Sequence, residues 1–220
     1  MNSTRSEKPA GRTFGLIPAA GLSVRMGEPK LLLCVEGQTV LNRVLAAMRA
    51  GGVTEILVVV GPGGQAVGAI AEEAGAHVLR LEQHTHDMRE TCQRGLDWLE
   101  ARFHPQPDDG WLLLPADHPT VRPDVIQALR ETARRQPERS IFIPTYQGRR
   151  GHPAWLRWKH VDKIRAHAPG EGLNAYFRSR GEETFEMAWP GAEILRDLDT
   201  PEDFAQLLAR NISIDAGPGQ

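Results

Sequence analysis

The chain has 220 residues, 26 basic and 28 acidic side chains, and a formal net charge of −2, enough for one α/β domain with a sizeable core. Its near-neutral balance excludes nucleic acid held by bulk electrostatics, so any anion site has to be local. Cys34 and Cys92 fit neither a disulfide framework nor a metal-ligand spacing and read as single buried thiols; with no apolar run near the ~18 residues of a membrane span and a polar start at residues 1–12, the expectation is a cytoplasmic protein with no membrane partner.

The first predicted strand covers residues 13–17, and the apolar residues 31–35 are expected beneath the loop that follows Lys30. Thr39 reads as the N-cap of a helix with Val40, Leu41, Val44, Leu45 and Met48 on one face, ended by Gly51-Gly52. Residues 56–60 form a continuous apolar run, as in a central parallel strand covered on both faces. Gly61-Pro62-Gly63-Gly64 reads as a strand-end turn, followed by a helix at 65–74 and a strand at 77–81. A helix at 88–102 is expected to put Met88, Cys92, Leu96 and Leu99 on one face. A strand at 111–114 stops at Pro115-Ala116-Asp117-His118-Pro119. Beyond it come a helix at 124–135, a strand at 141–144, a helix at 172–180 and late strands at 185–188 and 194–198. Thr200-Pro201-Glu202-Asp203 has the pattern of a helix start: a cap, a first-turn proline and acids at the positive end of the dipole. Strands alternating with helices mean an α/β fold, a mostly parallel sheet with helices on both faces. The domain is expected to span 13–210 between flexible tails at 1–12 and 211–220.

Functional sites in such sheets lie beyond the carboxyl ends of the strands. Residues 16–30 fit that place: an apolar strand gives way to Ala19, Ala20 and Gly21, then Arg25, Gly27 and Lys30. Small residues let backbone N–H groups approach an anion, and Arg and Lys add charge suited to phosphate oxygens. The spacing is neither the Gly-x-Gly-x-x-Gly of dinucleotide folds nor a P-loop. Asp117, after the third apolar strand, is placed to bind a cation such as Mg2+ with substrate phosphates, or else to cap its own turn. Asp197 and Asp199 alternate across Leu198, so in an extended segment one of them supplies a second carboxylate, unless Asp199 caps the next helix. Arg149-Arg150-Gly151-His152-Pro153 is a basic turn that could hold an acidic acceptor. Trp155, Trp158, Trp189 and Tyr176 read as core or pocket lining.

Pro18-Ala19-Ala20-Gly21-x-x-x-Arg25-Met26-Gly27-x-Pro29-Lys30, taken with Pro115-Ala116-Asp117-His118-Pro119, resembles the MobA-like NTP transferases. Within them the chain looks most like the molybdenum cofactor cytidylyltransferases, through Gly151-His152-Pro153, Gly170-Glu171-Gly172 and the closing Asp197-Leu198-Asp199-Thr200-Pro201-Glu202-Asp203. The resemblance implies a Rossmann-like, three-layer αβα fold of the nucleotide-diphospho-sugar transferase type. It implies transfer of a nucleoside monophosphate, CMP from CTP, to a phosphate-bearing acceptor, molybdopterin, with Mg2+ as cofactor and pyrophosphate released. On the matching positions, Ala19, Ala20 and Gly21 contact the nucleotide, joined by Met88 and Thr91. Arg25 and Lys30 hold the triphosphate. Asp117 binds Mg2+ with Asp199 or Asp197, and Arg150 and His152 belong to the acceptor pocket. A molybdoenzyme maturation chaperone is the protein partner it suggests.

One stretch departs from the family. Where a Gly-Met-Ser-x-Ser-like run opens the helix near the base, this chain has Asp87-Met88-Arg89-Glu90-Thr91, which leaves base and acceptor open. The same chemistry on a methylerythritol phosphate or sugar phosphate stands beside the leading reading. So do a nucleotide-binding or regulatory protein without turnover and a redox enzyme on the same fold.

Overall fold

Alternation along each strand of the main sheet divides the core in two. Ile17, Val58 and Leu112 face one layer, while Leu16, Leu57 and Leu113 face the other. The structure is a computed structural model that describes residues 11–21, 26, 27, 29–167 and 171–209, and the backbone of 210–215. Strands β1 (Thr13–Ala19), β4 (Glu55–Val60), β5 (His77–Arg80), β6 (Gly110–Leu113), β7 (Ile141–Tyr146), β9 (Ala154–Arg157) and β10 (Thr184–Ala188) run in the order β10-β7-β9-β6-β1-β4-β5. The short β8 (Arg149–Arg150) pairs with β7, and β2 (Cys34–Val35) with β3 (Gln38–Thr39) forms a separate ribbon. β1 is flanked in parallel by β4 and β6, with Leu16 opposite Leu57 on one side and Leu113 on the other.

Helices α1 (Val40–Ala50), α2 (Gln65–Glu73) and α4 (Pro123–Arg135) cover one face. Helices α3 (Met88–Phe103), α5 (Val161–Arg165) and α6 (Leu173–Ser179) cover the other. A sheet buried on both sides needs apolar residues at every strand position, which is why residues 56–60 carry no polar side chain. Each fully buried Leu or Val there contributes roughly 1.5–3 kcal/mol. The expected caps form: Thr39 Oγ1 accepts from Asn42 N at 3.2 Å to open α1. Among the described residues no helix is long and apolar enough to cross a membrane.

Several expectations change. β9 runs antiparallel between β6 and β7, so the sheet is mixed, and neither β9 nor α5 is anticipated. The stretch at 194–198 is no strand: Ala192–Leu195 is a 3-10 turn, with Ile194 and Leu198 buried on either side of Arg196. Arg12 belongs to the domain, since its guanidinium pairs with Asp109 at 2.9 Å and its carbonyl accepts from Gly110 N. At the other end α7 (Pro201–Asp215) runs past Arg210, where a tail is expected; the sequence has no Gly or Pro there before Gly217. Cys34 is exposed and only Cys92 is buried.

Candidate active site

β1 and β6 are neighbours, yet the chain leaves β1 towards β4 and leaves β6 towards β7, in opposite directions along the sheet. A crevice opens between diverging connections of this kind. A cleft of about 590 Å³ lies there, floored by Pro18, Ala19, Ala20 and Gly21 after β1 and by Pro115, Ala116 and Asp117 after β6. Ala116 N donates to Pro18 O at 3.5 Å and Leu114 N to Leu16 O at 3.1 Å, so the two strand ends stay joined to the rim. Arg25 and Gly170 lie outside the described residues.

At one end of the cleft three charges converge. Lys30 Nζ donates to Asp117 Oδ2 at 2.7 Å and to Asp199 Oδ1 at 2.8 Å, and all three side chains are largely shielded, with 14%, 24% and 24% exposed. Burial alone lowers the Lys30 pKa; Asp117, then Asp199, outweighs it and holds the ammonium above its ordinary 10.5. The backbone explains how carboxylates 82 positions apart meet. Leu198 N donates to Asp117 O at 2.8 Å, which lays the segment before α7 against the β6 turn. Asp203 Oδ2 accepts from Asp199 N, Thr200 N and Thr200 Oγ1 at 3.1, 2.8 and 2.8 Å, and Asp203 N donates back to Thr200 Oγ1 at 3.2 Å. Thr200 and Asp203 therefore cap α7, and the Asp199 carboxylate is turned to Lys30 instead. Asp197 goes elsewhere: it is exposed and lines a smaller neighbouring pocket of about 180 Å³ with Arg196 and Gln206.

The start of α3 and the segment before it form a further part of the cleft lining. Asp87 Oδ1 caps the helix by accepting from Glu90 N at 2.8 Å, and Glu90 Oε2 accepts from His86 N at 2.9 Å. Thr85 and Thr91 share a hydroxyl bond of 2.6 Å. Met88 does not join the buried face of α3: it is 44% exposed and lines the cleft, while Cys92, Leu96 and Leu99 are buried. Asp87, from the run expected near the base, lines the cleft as well, and so do His84, Thr85 and His86, which the sequence did not single out for it. Their signal was topological: the loop after β5 has to end on the same rim as the loops after β1 and β6.

Arg150 and His152 do not line this cleft. Arg150 pairs with Glu186 at 2.7 Å across the sheet edge. His152 packs its ring edge-on against His118, with 4.6 Å between centroids, and His118 Nε2 is 3.9 Å from Asp117 Oδ1. Burial pushes the His152 pKa down to about 3, aided by His118, and burial lowers that of His118 against the pull of Asp117. Both imidazoles leave Nδ1 without a hydrogen-bond partner. Gly151 is required where it stands: a Cβ there would meet Ile194 O at 2.5 Å, and His152 N donates to that same carbonyl at 2.8 Å.

Two carboxylates gripping one ammonium mark a place where a cation is held, which fits a hard divalent ion that takes one or two carboxylates and completes its shell with water and phosphate. Among the described residues no group of three or more His, Cys, Asp or Glu is arranged to hold a metal. Trp189 Nε1 donates to Glu193 and Tyr176 to or from His160, so both aromatics act in packing, away from the cleft.

Curated relatives include the bifunctional protein GlmU of Xanthobacter autotrophicus, 38% identical over 120 residues, which is 52% of this chain and 25% of the relative. This chain thus matches about a quarter of that relative's length. Among solved structures, Rv0371c from Mycobacterium tuberculosis H37Rv superposes with a TM-score of 0.75 at 28% identity, covering 91% of this chain and 99% of that one. A manganese complex of Rv0371c superposes with a TM-score of 0.71 at 26% identity, covering 90% and 98%. Residues 15–184 match the MobA-like NTP transferase domain, more than half of the chain, and the chain belongs to that family of nucleotidyltransferases.

Proposed function

We propose that the chain transfers CMP from CTP to a phosphate of a molybdopterin-type acceptor and releases pyrophosphate, acting in the cytoplasm as a single domain. The observation that carries the transferase reading is the meeting of Lys30, Asp117 and Asp199 at one end of the cleft behind Ala19-Ala20-Gly21. In the reaction an acceptor phosphate oxygen attacks the α-phosphorus, one P–O bond forms, and the bond to the bridging oxygen of the β-phosphate breaks. Such a step asks the protein for alignment and charge neutralisation rather than a covalent nucleophile.

The residues divide this work. Ala19, Ala20 and Gly21 bring backbone close to the nucleotide, and Met88 and Thr91 wall the base. Arg25 and Lys30 neutralise the charge that gathers on departing pyrophosphate. Asp117 and Asp199 would hold Mg2+, which when bound polarises phosphoryl oxygens and steadies the leaving charge. Support for a divalent ion comes from the paired carboxylates and from the manganese complex of Rv0371c. CTP is favoured by the Pro18-Ala19-Ala20-Gly21 start. Arg150 and His152 remain the proposed acceptor residues, with a maturation chaperone receiving the product.

A second reading keeps the chemistry and changes the acceptor. The run Asp87-Met88-Arg89-Glu90-Thr91 favours it, because charged side chains open α3 at the cleft where the family has small ones. A methylerythritol phosphate or sugar phosphate is the class to test. Pyrophosphate release from CTP with Mg2+, measured with molybdopterin and with each alternative acceptor in turn, separates the readings. Nucleotide binding without release in any mixture would instead mark a protein without turnover.

A further inference from the structure

We propose that Lys30 and the divalent ion occupy one seat in turn: the ammonium bridges Asp117 and Asp199 while the cleft is empty, and passes to the triphosphate when metal enters. The inference rests on the transferase reading above and concerns how that site is loaded. Two carboxylates this close, and only 24% exposed, repel unless a cation lies between them. Lys30 supplies such a cation, and it bonds to one oxygen of each, Oδ2 of Asp117 and Oδ1 of Asp199. A metal held by this pair of carboxylates would take the same place.

The chain is built for the exchange. Lys30 opens a 3-10 turn pinned by Leu32 N to Pro29 O at 2.9 Å and by buried Leu31, so its backbone is anchored. The four-carbon stem carries a compact charge that can move without disturbing that anchor. Lys30, Asp117 and Asp199 all line the cleft, so an ammonium released from the pair is already beside the triphosphate. Metal alone has to expel the lysine into solvent; metal with nucleotide gives the lysine a new anionic partner. The two ligands therefore favour each other's binding, reciprocally.

The test is Mn2+ binding to the full chain, followed by the electron paramagnetic resonance of the free ion. Lys30→Met is expected to bind Mn2+ without nucleotide about tenfold more tightly than the unaltered protein or better, and Asp117→Asn added to it should remove the gain. Equal Mn2+ affinity in the two proteins overturns the exchange, while Mn2+ binding that still depends on Asp117 keeps the metal site itself. Loss of Mn2+ binding from every variant, with CTP present, overturns both. Should Lys30→Met fail to fold, acylation of Lys30 in the unaltered protein decides: bound Mn2+ with CTP absent must raise its labelling rate, and an unchanged rate contradicts the exchange.

Discussion

Asp117 does two jobs that a substitution separates. Its carbonyl accepts from Leu198 N and places the segment before α7; its carboxylate pairs with Lys30. Asp117→Asn keeps the backbone contact and the side-chain shape, so turnover should fall by about a hundredfold or more while the melting temperature stays within a few degrees. An active Asp117→Asn enzyme would remove the carboxylate from the chemistry. His160 supplies a contrasting case, a polar side chain that works only in the core. It is fully buried, with Nδ1 2.7 Å from Tyr176 Oη and Nε2 2.8 Å from Ser140 Oγ. Burial lowers its pKa to about 4, although Glu183 pulls upward. The unfolded chain, with an ordinary imidazole near 6.5, then binds more protons between those two values. Stability should be complete above about pH 6.5 and fall towards pH 4, at up to ~1.4 kcal/mol per pH unit. Denaturant titrations at pH 7, 5.5 and 4.5 measure this, and a decline left unchanged by His160→Asn contradicts the assignment.

Packing of α3 on the sheet sets one wall of the cleft, because the helix that buries Cys92, Leu96 and Leu99 begins with Met88 and Thr91. Gly95 lets it lie close: a Cβ there would meet Leu16 Cδ1 at 2.5 Å and Val59 Cγ2 at 2.9 Å. Gly95→Ala should cost about 1–3 kcal/mol and raise the nucleotide KM more than it lowers kcat; a KM unchanged despite lost stability would separate α3 from the nucleotide wall. Thr39→Ala, which removes the α1 cap and no cleft-lining side chain, should cost about 1 kcal/mol and leave KM unchanged. The parallel strands and their helices were legible because periodic apolar runs and caps are local signals, as at residues 56–60 and at Thr39. The antiparallel β9 was not: Ala154–Arg157 is a four-residue run whose partners, β6 and β7, are fixed by distant pairing. The 3-10 turn at Ala192–Leu195 hid for a similar reason, since Ile194 and Leu198 are buried by docking rather than by alternation.

The assembled rim shows what a linear reading could and could not give. Lys30 and Asp117 were identifiable from their positions after strands, and Asp199 as one of two candidates. Asp197 and Asp199 differ only in the folded chain, where Asp199 lines the cleft with Lys30 and Asp197 lines the smaller pocket beside it. His84, Thr85 and His86 line the cleft because the loop after β5 ends on the same rim as the loop after β1. Thr85, Thr91 and the Asp87 cap make that part of the cleft polar, and it is the proposed seat of the nucleobase. Nucleotide with Mg2+ should protect the fold, the melting temperature rising with the logarithm of ligand concentration above Kd. The decisive measurement is pyrophosphate release with Mg2+ and each of the four ribonucleoside triphosphates, with and without molybdopterin. Release confined to CTP and dependent on molybdopterin is the predicted result; no release with any triphosphate and any phosphate-bearing acceptor would contradict nucleotidyl transfer at this cleft.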